Sequence, residues 1–218
     1  MNRIDVQTHP IATRITHWLM ALAIVVLIGS GWRIYNSSPI FGFTFPEWAT
    51  LGGDVDQALA LHNDPGVASA IAWHFAAMWL LVASYLGFML WNLLSGHFRR
   101  DFLPVGPVYF WRDFSAAIRF KLDHRLGEYN VVQRVAYWGV LGSVAMMLLS
   151  GIAIWKPVQT YPLETLFGGF QGARIVHFLF MTAIASFIAV HVALVILVPK
   201  TFVAMTLGKA TTVHKGDQ

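Results

Sequence analysis

The chain lacks cysteine, and it has few charged residues. None of its 218 residues is a cysteine. This excludes disulfides, cysteine-ligated iron–sulfur clusters, Cys-type zinc sites and covalent attachment of haem through a C-x-x-C-H motif. Charged residues make up 12% of the chain and hydrophobic residues 56%, whereas soluble domains carry roughly 25% charged residues. The composition therefore predicts a protein that is surrounded by lipid.

Four segments are long and apolar enough to cross a membrane as helices. A spanning helix needs about 20 predominantly apolar residues. Tryptophans lie near many of the segment ends, as in the aromatic belts of membrane proteins. We therefore expect an all-α integral membrane four-helix bundle, with residues 1–218 forming a single domain. The predicted spans are Ile11–Tyr35, Ser69–Ser95, Gln133–Trp155 and Gln171–Val198.

The distribution of basic residues predicts the orientation of the bundle. Four spans place both chain ends and the Gly96–Val132 loop on one side of the membrane, called side A here; the other side is side B. Side A receives 12 of the 15 Lys and Arg residues. Because cytoplasmic loops are enriched in Lys and Arg, both termini are expected in the cytoplasm. Within the side A loop, Pro107–Leu122 has apolar residues at helical spacing, which predicts a cytoplasmic amphipathic helix in the headgroup layer.

Side B is predicted to carry two loops without a helical pattern, Tyr35–Pro65 and Lys156–Phe170. Loops of this kind are often functional. We expect them to form a docking surface for a partner on side B.

Four histidines lie inside the predicted spans, where an ionisable side chain is costly and usually functional. Counting along the spans places His17 and His191 near side A, and His74 and His177 near side B. The last span carries two of them 14 residues apart, which is about 21 Å of helix and nearly a whole number of turns. Each pair brings two imidazoles from different helices to one depth, as bis-histidine ligation of a non-covalent haem b requires. The alternative is that some of these histidines are ordinary core or interfacial residues.

An R-x-x-H pattern occurs on both sides of the membrane, as Arg14 with His17 and Arg174 with His177. Residues three apart share a helix face, so each arginine is predicted to hold a haem propionate. Snorkelling toward the headgroups is the alternative. Glycines in the spans would give a flat macrocycle room or allow close helix packing. These glycines are Gly29, Gly31, Gly87, Gly139, Gly142 and Gly151.

A polar cluster at the side A start of the third span predicts a quinone site. It consists of Asn130, Gln133, Arg134 and Tyr137, which offer hydrogen-bond donors near the His17–His191 level. Helix capping by Asn130 is the alternative explanation.

Short motifs occur along nearly the whole chain. They are His9-Pro10, Arg14, His17-Trp18, Ser30-Gly31-Trp32, Tyr129-Asn130 with Gln133, Arg174 with His177, and His191. Together they resemble the bacterial cytochrome b-561 / nickel–iron hydrogenase b-subunit superfamily, in particular its thiosulfate-reductase-like members. The resemblance implies a bacterial inner-membrane protein with a four-helix core and two haems b, which moves electrons between membrane quinone and a periplasmic partner. That partner would be an oxidoreductase of the molybdopterin type or a c-type cytochrome.

The sequence is compatible with three functions. The first is a quinone-reactive electron-transfer subunit of a periplasmic oxidoreductase. The second is a stand-alone di-haem cytochrome b that exchanges electrons between quinone and a small molecule, as a superoxide oxidase would. The third is a binding or transport protein without haem. No residue is assigned a catalytic role, because two axial histidines leave a haem iron no open position. The basic residues are explained by topology, so no nucleic-acid partner is expected.

Overall fold

The computed structural model describes residues 2–7, 9–52, 65–96 and 131–214. Its four long helices are apolar enough to cross a membrane, which confirms the predicted all-α, four-span architecture. In chain order the helices are α1 (Ile11–Ser37), α2 (Pro65–Leu94), α3 (Val131–Trp155), α4 (Tyr161–Leu166), α5 (Gly169–Leu197) and α6 (Pro199–Leu207).

The ends of the spanning helices lie close to those predicted from hydropathy. The largest difference is at α2, which begins at Pro65 rather than Ser69. Proline suits the first position of a helix, because the N–H that it lacks would have no partner there. The amphipathic helix predicted at Pro107–Leu122 lies outside the described residues.

The Lys156–Phe170 connection was predicted to lack helical structure, and this is wrong, since it contains α4. Pro162 lies in the first turn of α4, where the missing N–H costs no hydrogen bond. Gly168 and Gly169 then turn the chain into α5 with φ values of 82° and 83°. A residue with a side chain would be strained in this conformation. In the other side B connection, Glu47–Ala49 forms a single 3-10 turn.

A short ribbon joins the two ends of the chain. Strand β1 (Asn2–Gln7) pairs antiparallel with strand β2 (Lys209–His214), with Asn2 opposite His214 and Gln7 opposite Lys209. No sequence pattern predicted this ribbon. It holds both chain ends on one side of the bundle, as an even number of spans requires.

The bundle is built from two closely packed helix pairs, α1 with α2 and α3 with α5. All four spanning helices meet in a buried layer made of Ala23, Leu81, Val144 and Ile184, one residue from each helix. Ile184 is seven residues from both His177 and His191. The apolar layer therefore lies midway between the two histidine levels.

Candidate functional site

The four histidines meet as the two predicted pairs, and the two pairs have nearly the same geometry. On side A, the rings of His17 from α1 and His191 from α5 have centroids 6.3 Å apart and planes 55° apart. On side B, the rings of His74 from α2 and His177 from α5 have centroids 6.4 Å apart and planes 55° apart. Helix α5 contributes to both pairs because 14 residues bring the chain back to almost the same face.

The side B pair is held by two buried serines. Ser30 Oγ of α1 is 3.0 Å from Nδ1 of His74. Ser150 Oγ of α3 is 3.0 Å from Nδ1 of His177. Both serines are completely inaccessible to solvent. Each imidazole is thus oriented by the helix that packs beside its own.

A glycine follows each of these serines and makes room for the imidazole. A Cβ added to Gly31 would lie 3.4 Å from Cε1 of His74, and a Cβ added to Gly151 would lie 3.3 Å from Cε1 of His177. The other span glycines have different surroundings. Gly29 faces Leu51, Gly87 faces Thr16, and Gly139 and Gly142 face open space.

The side A pair is surrounded mainly by aromatic rings. Trp18 meets the ring of His17 edge-on, at a centroid distance of 5.2 Å. Phe187 stacks on His191 at 5.6 Å with an interplanar angle of 12°. Nδ1 of His17 is buried and has no hydrogen-bond partner among the residues that the structure describes. The two levels therefore share their spacing but differ in what orients the rings.

The two arginines of the R-x-x-H pattern bind to the ends of other helices. Arg14 donates to the carbonyl of Thr206, in the last turn of α6. Arg174 donates to the carbonyl of Ser38 at the end of α1. A cation is favourable at a helix C-terminus, where carbonyls are left without partners. Each arginine thus ties a histidine-bearing helix to a second helix at the same membrane surface; binding of a haem propionate stays a prediction.

A third arginine was missed as a candidate site residue. Arg33 of α1 is completely buried, three residues after Ser30. A charged side chain buried within a membrane span is costly and usually functional. Its position in the sequence could have identified it as a candidate, because side B carries very few other cations.

The predicted quinone cluster is only partly within the described residues. Asn130 lies outside them, and Gln133 is in the first turn of α3. Arg134 and Tyr137 are three residues apart on α3, so they share one face of the helix.

The described part of the Tyr35–Pro65 connection folds back over the bundle as an aromatic cap. The Asn36 side chain bonds both backbone groups of Phe45, each at 2.8 Å. Phe45 stacks on Trp32 at 4.5 Å. These two rings also line an open apolar pocket of about 450 Å³, together with Phe178 and Met181 of α5. The side B end of the α1–α5 interface is therefore covered by packed rings.

One family model and three known proteins are similar to this chain. The model of the family described as prokaryotic cytochrome b561 matches residues 8–208. A protein of Azospira oryzae named as a protein-methionine-sulfoxide reductase subunit is 42% identical over 201 residues, which cover 92% of this chain and 96% of that protein. A protein of Bradyrhizobium diazoefficiens named as a nickel–iron hydrogenase b-type cytochrome subunit is 26% identical and covers 88% of this chain and 78% of that protein. The cytochrome b556 subunit of an Escherichia coli formate dehydrogenase is 25% identical, covering 91% and 82%.

The chain belongs to the prokaryotic cytochrome b561 family. It is a multi-pass membrane cytochrome of the b type, a class whose function is transmembrane electron transfer. The relatives above are named as subunits of a reductase, a hydrogenase and a formate dehydrogenase.

Proposed function

We propose that this protein transfers electrons across the bacterial inner membrane through two haems b, between the membrane quinone pool and a periplasmic redox subunit. The observation that carries the proposal is the presence of two imidazole pairs at two depths of one bundle, with the same ring spacing. His17 and His191 would ligate the side A haem, and His74 and His177 the side B haem.

The ring spacing suits axial ligation of an iron. An imidazole nitrogen binds a metal at about 2.0 Å and lies about 1.1 Å from its own ring centroid, so two axial imidazoles place their centroids about 6.2 Å apart. The two pairs have centroid distances of 6.3 Å and 6.4 Å. The ring spacing of both pairs is therefore close to the spacing that two histidine ligands of one iron would have.

The donor set also favours haem over a bare metal ion. Within the described ranges, no group of three or more His, Cys, Asp or Glu side chains could hold an ion. Each imidazole pair supplies two ligands, so the metal has to bring its remaining ligands with it. A haem iron does this through its porphyrin nitrogens, and without cysteine the haem is non-covalent.

When bound, the haems supply one-electron redox chemistry at two membrane depths. The protein contributes the imidazoles, the arginines and the apolar surroundings. The guanidinium of Arg14 lies near the side A level and that of Arg174 near the side B level, each one turn from a ligand histidine. Each can bind a propionate in addition to its carbonyl, because a guanidinium has five donors.

The quinone site is proposed at the side A end, from Asn130, Gln133 and Arg134. Gln133 and Arg134 lie in the first turn of α3, near the level of His17 and His191, and Asn130 directly precedes α3 in the sequence. With cytoplasmic N- and C-termini, this level is nearer the cytoplasm and the His74–His177 level is nearer the periplasm. Electrons that enter or leave through quinone would therefore use the side A haem first.

The relative that is 42% identical favours a reductase as the periplasmic partner. Reduction of a methionine sulfoxide consumes two electrons and two protons and releases water. If the partner catalyses this reaction, electrons flow outward from quinol to the periplasmic subunit. A molybdopterin oxidoreductase is the favoured partner type, and its dock is the side B surface of the Tyr35–Pro65 and Lys156–Phe170 connections.

Quinol reduction and partner capture test the function directly. Purified protein in lipid nanodiscs should show a b-type spectrum that a short-chain quinol reduces. Affinity purification from native membranes in mild detergent should bring down a soluble redox subunit that reduces methionine sulfoxide when the cytochrome is reduced. A haem-free preparation would contradict the cytochrome proposal, whereas quinol reduction without any co-purifying subunit would favour the stand-alone cytochrome.

Reporter fusions test the orientation. A fusion after Gln218 should be active only as a cytoplasmic reporter, and a fusion within Tyr35–Pro65 only as a periplasmic one. The opposite result would invert both haem positions and move the proposed quinone site to the periplasmic face.

A further inference from the structure

The side B histidines are oriented by the same structural unit used twice. A Ser–Gly dipeptide occurs at 30–31 on α1 and again at 150–151 on α3. In each case the serine oxygen lies 3.0 Å from Nδ1 of a histidine on the neighbouring helix. The glycine makes room for the edge of the same ring. Two unrelated positions of the chain therefore produce one local geometry.

The hydrogen bonds of the serines determine which histidine nitrogen carries the proton. The Ser30 hydroxyl donates to the carbonyl of Val26 at 2.7 Å, and the Ser150 hydroxyl donates to the carbonyl of Met146 at 2.6 Å. A hydroxyl has a single hydrogen, and while that hydrogen is on the carbonyl the serine oxygen can only accept from Nδ1. This arrangement requires the histidine tautomer that carries hydrogen on Nδ1.

The backbone supports the same assignment. The carbonyls of Leu27 and Met147 lie 3.3 Å from the same serine oxygens, so each hydroxyl has two backbone acceptors within its own helix. Leu27 and Met147 each lie three residues before the serine of their helix. With Nδ1 protonated in a neutral ring, Nε2 keeps the lone pair that a metal binds. Both rings of the side B pair are thus prepared as Nε2 ligands.

The side A pair has no equivalent arrangement in the described part of the chain. Nδ1 of His17 is buried and makes no hydrogen bond there. A hydrogen bond to the outer nitrogen of a ligand histidine fixes the ring and makes it a stronger electron donor. The serines would therefore act on one haem site and not on the other.

We propose that Ser30 and Ser150 are positioning residues of the side B haem, which hold His74 and His177 as Nε2 ligands and lower the reduction potential of that haem. This inference rests on the proposed function, because it requires the histidines to be haem ligands. The stronger donor stabilises ferric iron over ferrous iron, so removal of either hydroxyl raises the potential.

Redox potentiometry of serine-to-alanine variants tests the inference. The wild-type protein should titrate in two one-electron waves, and the side B wave is the one lost in His74→Ala. Ser30→Ala and Ser150→Ala should each move this wave to a higher potential and leave the other wave unchanged. The double variant should shift it further in the same direction than either single variant. The serine variants should also bind the side B haem about 10- to 100-fold more weakly than the wild-type protein does. Transfer of this haem to apomyoglobin measures the difference.

Two other buried serines provide matched controls. Ser84 donates to the carbonyl of Leu80 and Ser143 to the carbonyl of Gly139, each at 2.7 Å within its own helix. In the described residues neither is bonded to a histidine. Ser84→Ala and Ser143→Ala should leave both waves in place. If they shift the side B wave as much as Ser30→Ala and Ser150→Ala do, the shift comes from a general loss of helix packing, and the inference is wrong.

The remaining outcomes separate this inference from the proposed function. Two waves that do not move in either serine variant would overturn the positioning role and leave the di-haem function standing. Absence of haem from the wild-type protein would overturn the proposed function itself. In low-temperature EPR spectra, the low-spin ferric signal of the side B haem should change in the Ser30 and Ser150 variants and stay unchanged in the controls.

Discussion

The two ends of the bundle hold imidazole pairs of the same spacing by different means. At the side B level, serines on α1 and α3 bond both rings of the pair. At the side A level, the rings are packed by Trp18 and Phe187, and the buried Nδ1 of His17 has no partner among the described residues. Ligand spacing is therefore a property of the helix framework, because α5 repeats its face after 14 residues. The electronic character of each site is set separately, by the neighbours of each ring.

The glycines beside the side B rings offer the strongest way to break one site alone. In Gly151→Val, the added carbon atoms would occupy the space of the His177 ring, because a Cβ at this position already lies 3.3 Å from Cε1. A close-packed interior cannot absorb such a group. We expect loss of the side B haem and retention of the side A haem, measured by haem content and the reduced spectrum.

Gly142→Val is the matched control for this substitution. It lies on the same helix with open space around it, and nine residues place it on the opposite face from Gly151. It should keep both haems. Loss of both haems in Gly151→Val would indicate general misfolding, and retention of both would mean that the ring does not depend on this glycine.

The apolar layer between the levels should affect both sites equally. Ile184 is 5% exposed and belongs to the cluster that joins all four spanning helices. Ile184→Ala should lower the free energy of unfolding by about 2 kcal/mol or more, because it leaves a cavity. The thermal midpoints of release of the two haems should fall together.

Leu179 of α5 is 56% exposed on the outside of the bundle. In contrast with Ile184→Ala, Leu179→Ala should change the thermal midpoints little. If Ile184→Ala lowers the thermal midpoint of only one haem, the apolar layer stabilises only that haem site.

The arginines should give the smallest, side-specific effects. Arg174→Gln removes the bond to the carbonyl of Ser38 at side B, and Arg14→Gln removes the bond to the carbonyl of Thr206 at side A. Each loss should cost about 1 to 2 kcal/mol. Hydrogen exchange should rise at the end of α1 in the first variant and in α6 in the second. An increase at both ends in either variant would contradict this side-specific role.

The membrane explains why the spans and the histidine levels could be predicted. A spanning helix must be apolar over a length that the bilayer sets, so hydropathy locates it within a few residues. Because successive spans run in opposite directions, the position of a residue along its span gives its depth in the membrane. This count places His17 and His191 at the same depth. The pairs meet in the structure as that count predicted.

Contacts between side chains of different helices could not be predicted in the same way. A serine in a membrane helix ordinarily bonds to the backbone of its own helix, and Ser30 and Ser150 do this as well. Their additional bonds to histidine therefore cannot be recognised from the sequence. The Ser–Gly dipeptide is a weak clue, because it also occurs at Ser95-Gly96, where the serine bonds to the carbonyl of Asn92 in its own helix. The burial of Arg33 and the β1–β2 ribbon depend on how distant segments meet, which hydropathy does not report.

Haem counts in double histidine variants test the central claim most directly. The wild-type protein should bind two haems b per chain, measured by the pyridine haemochrome method. The double variant His17→Ala/His191→Ala, which changes one level, should keep one haem. The double variant His17→Ala/His74→Ala, which changes both levels, should keep none. One haem in the second variant, or none in the first with the helical fold intact by circular dichroism, would contradict the assignment of the histidines to two levels.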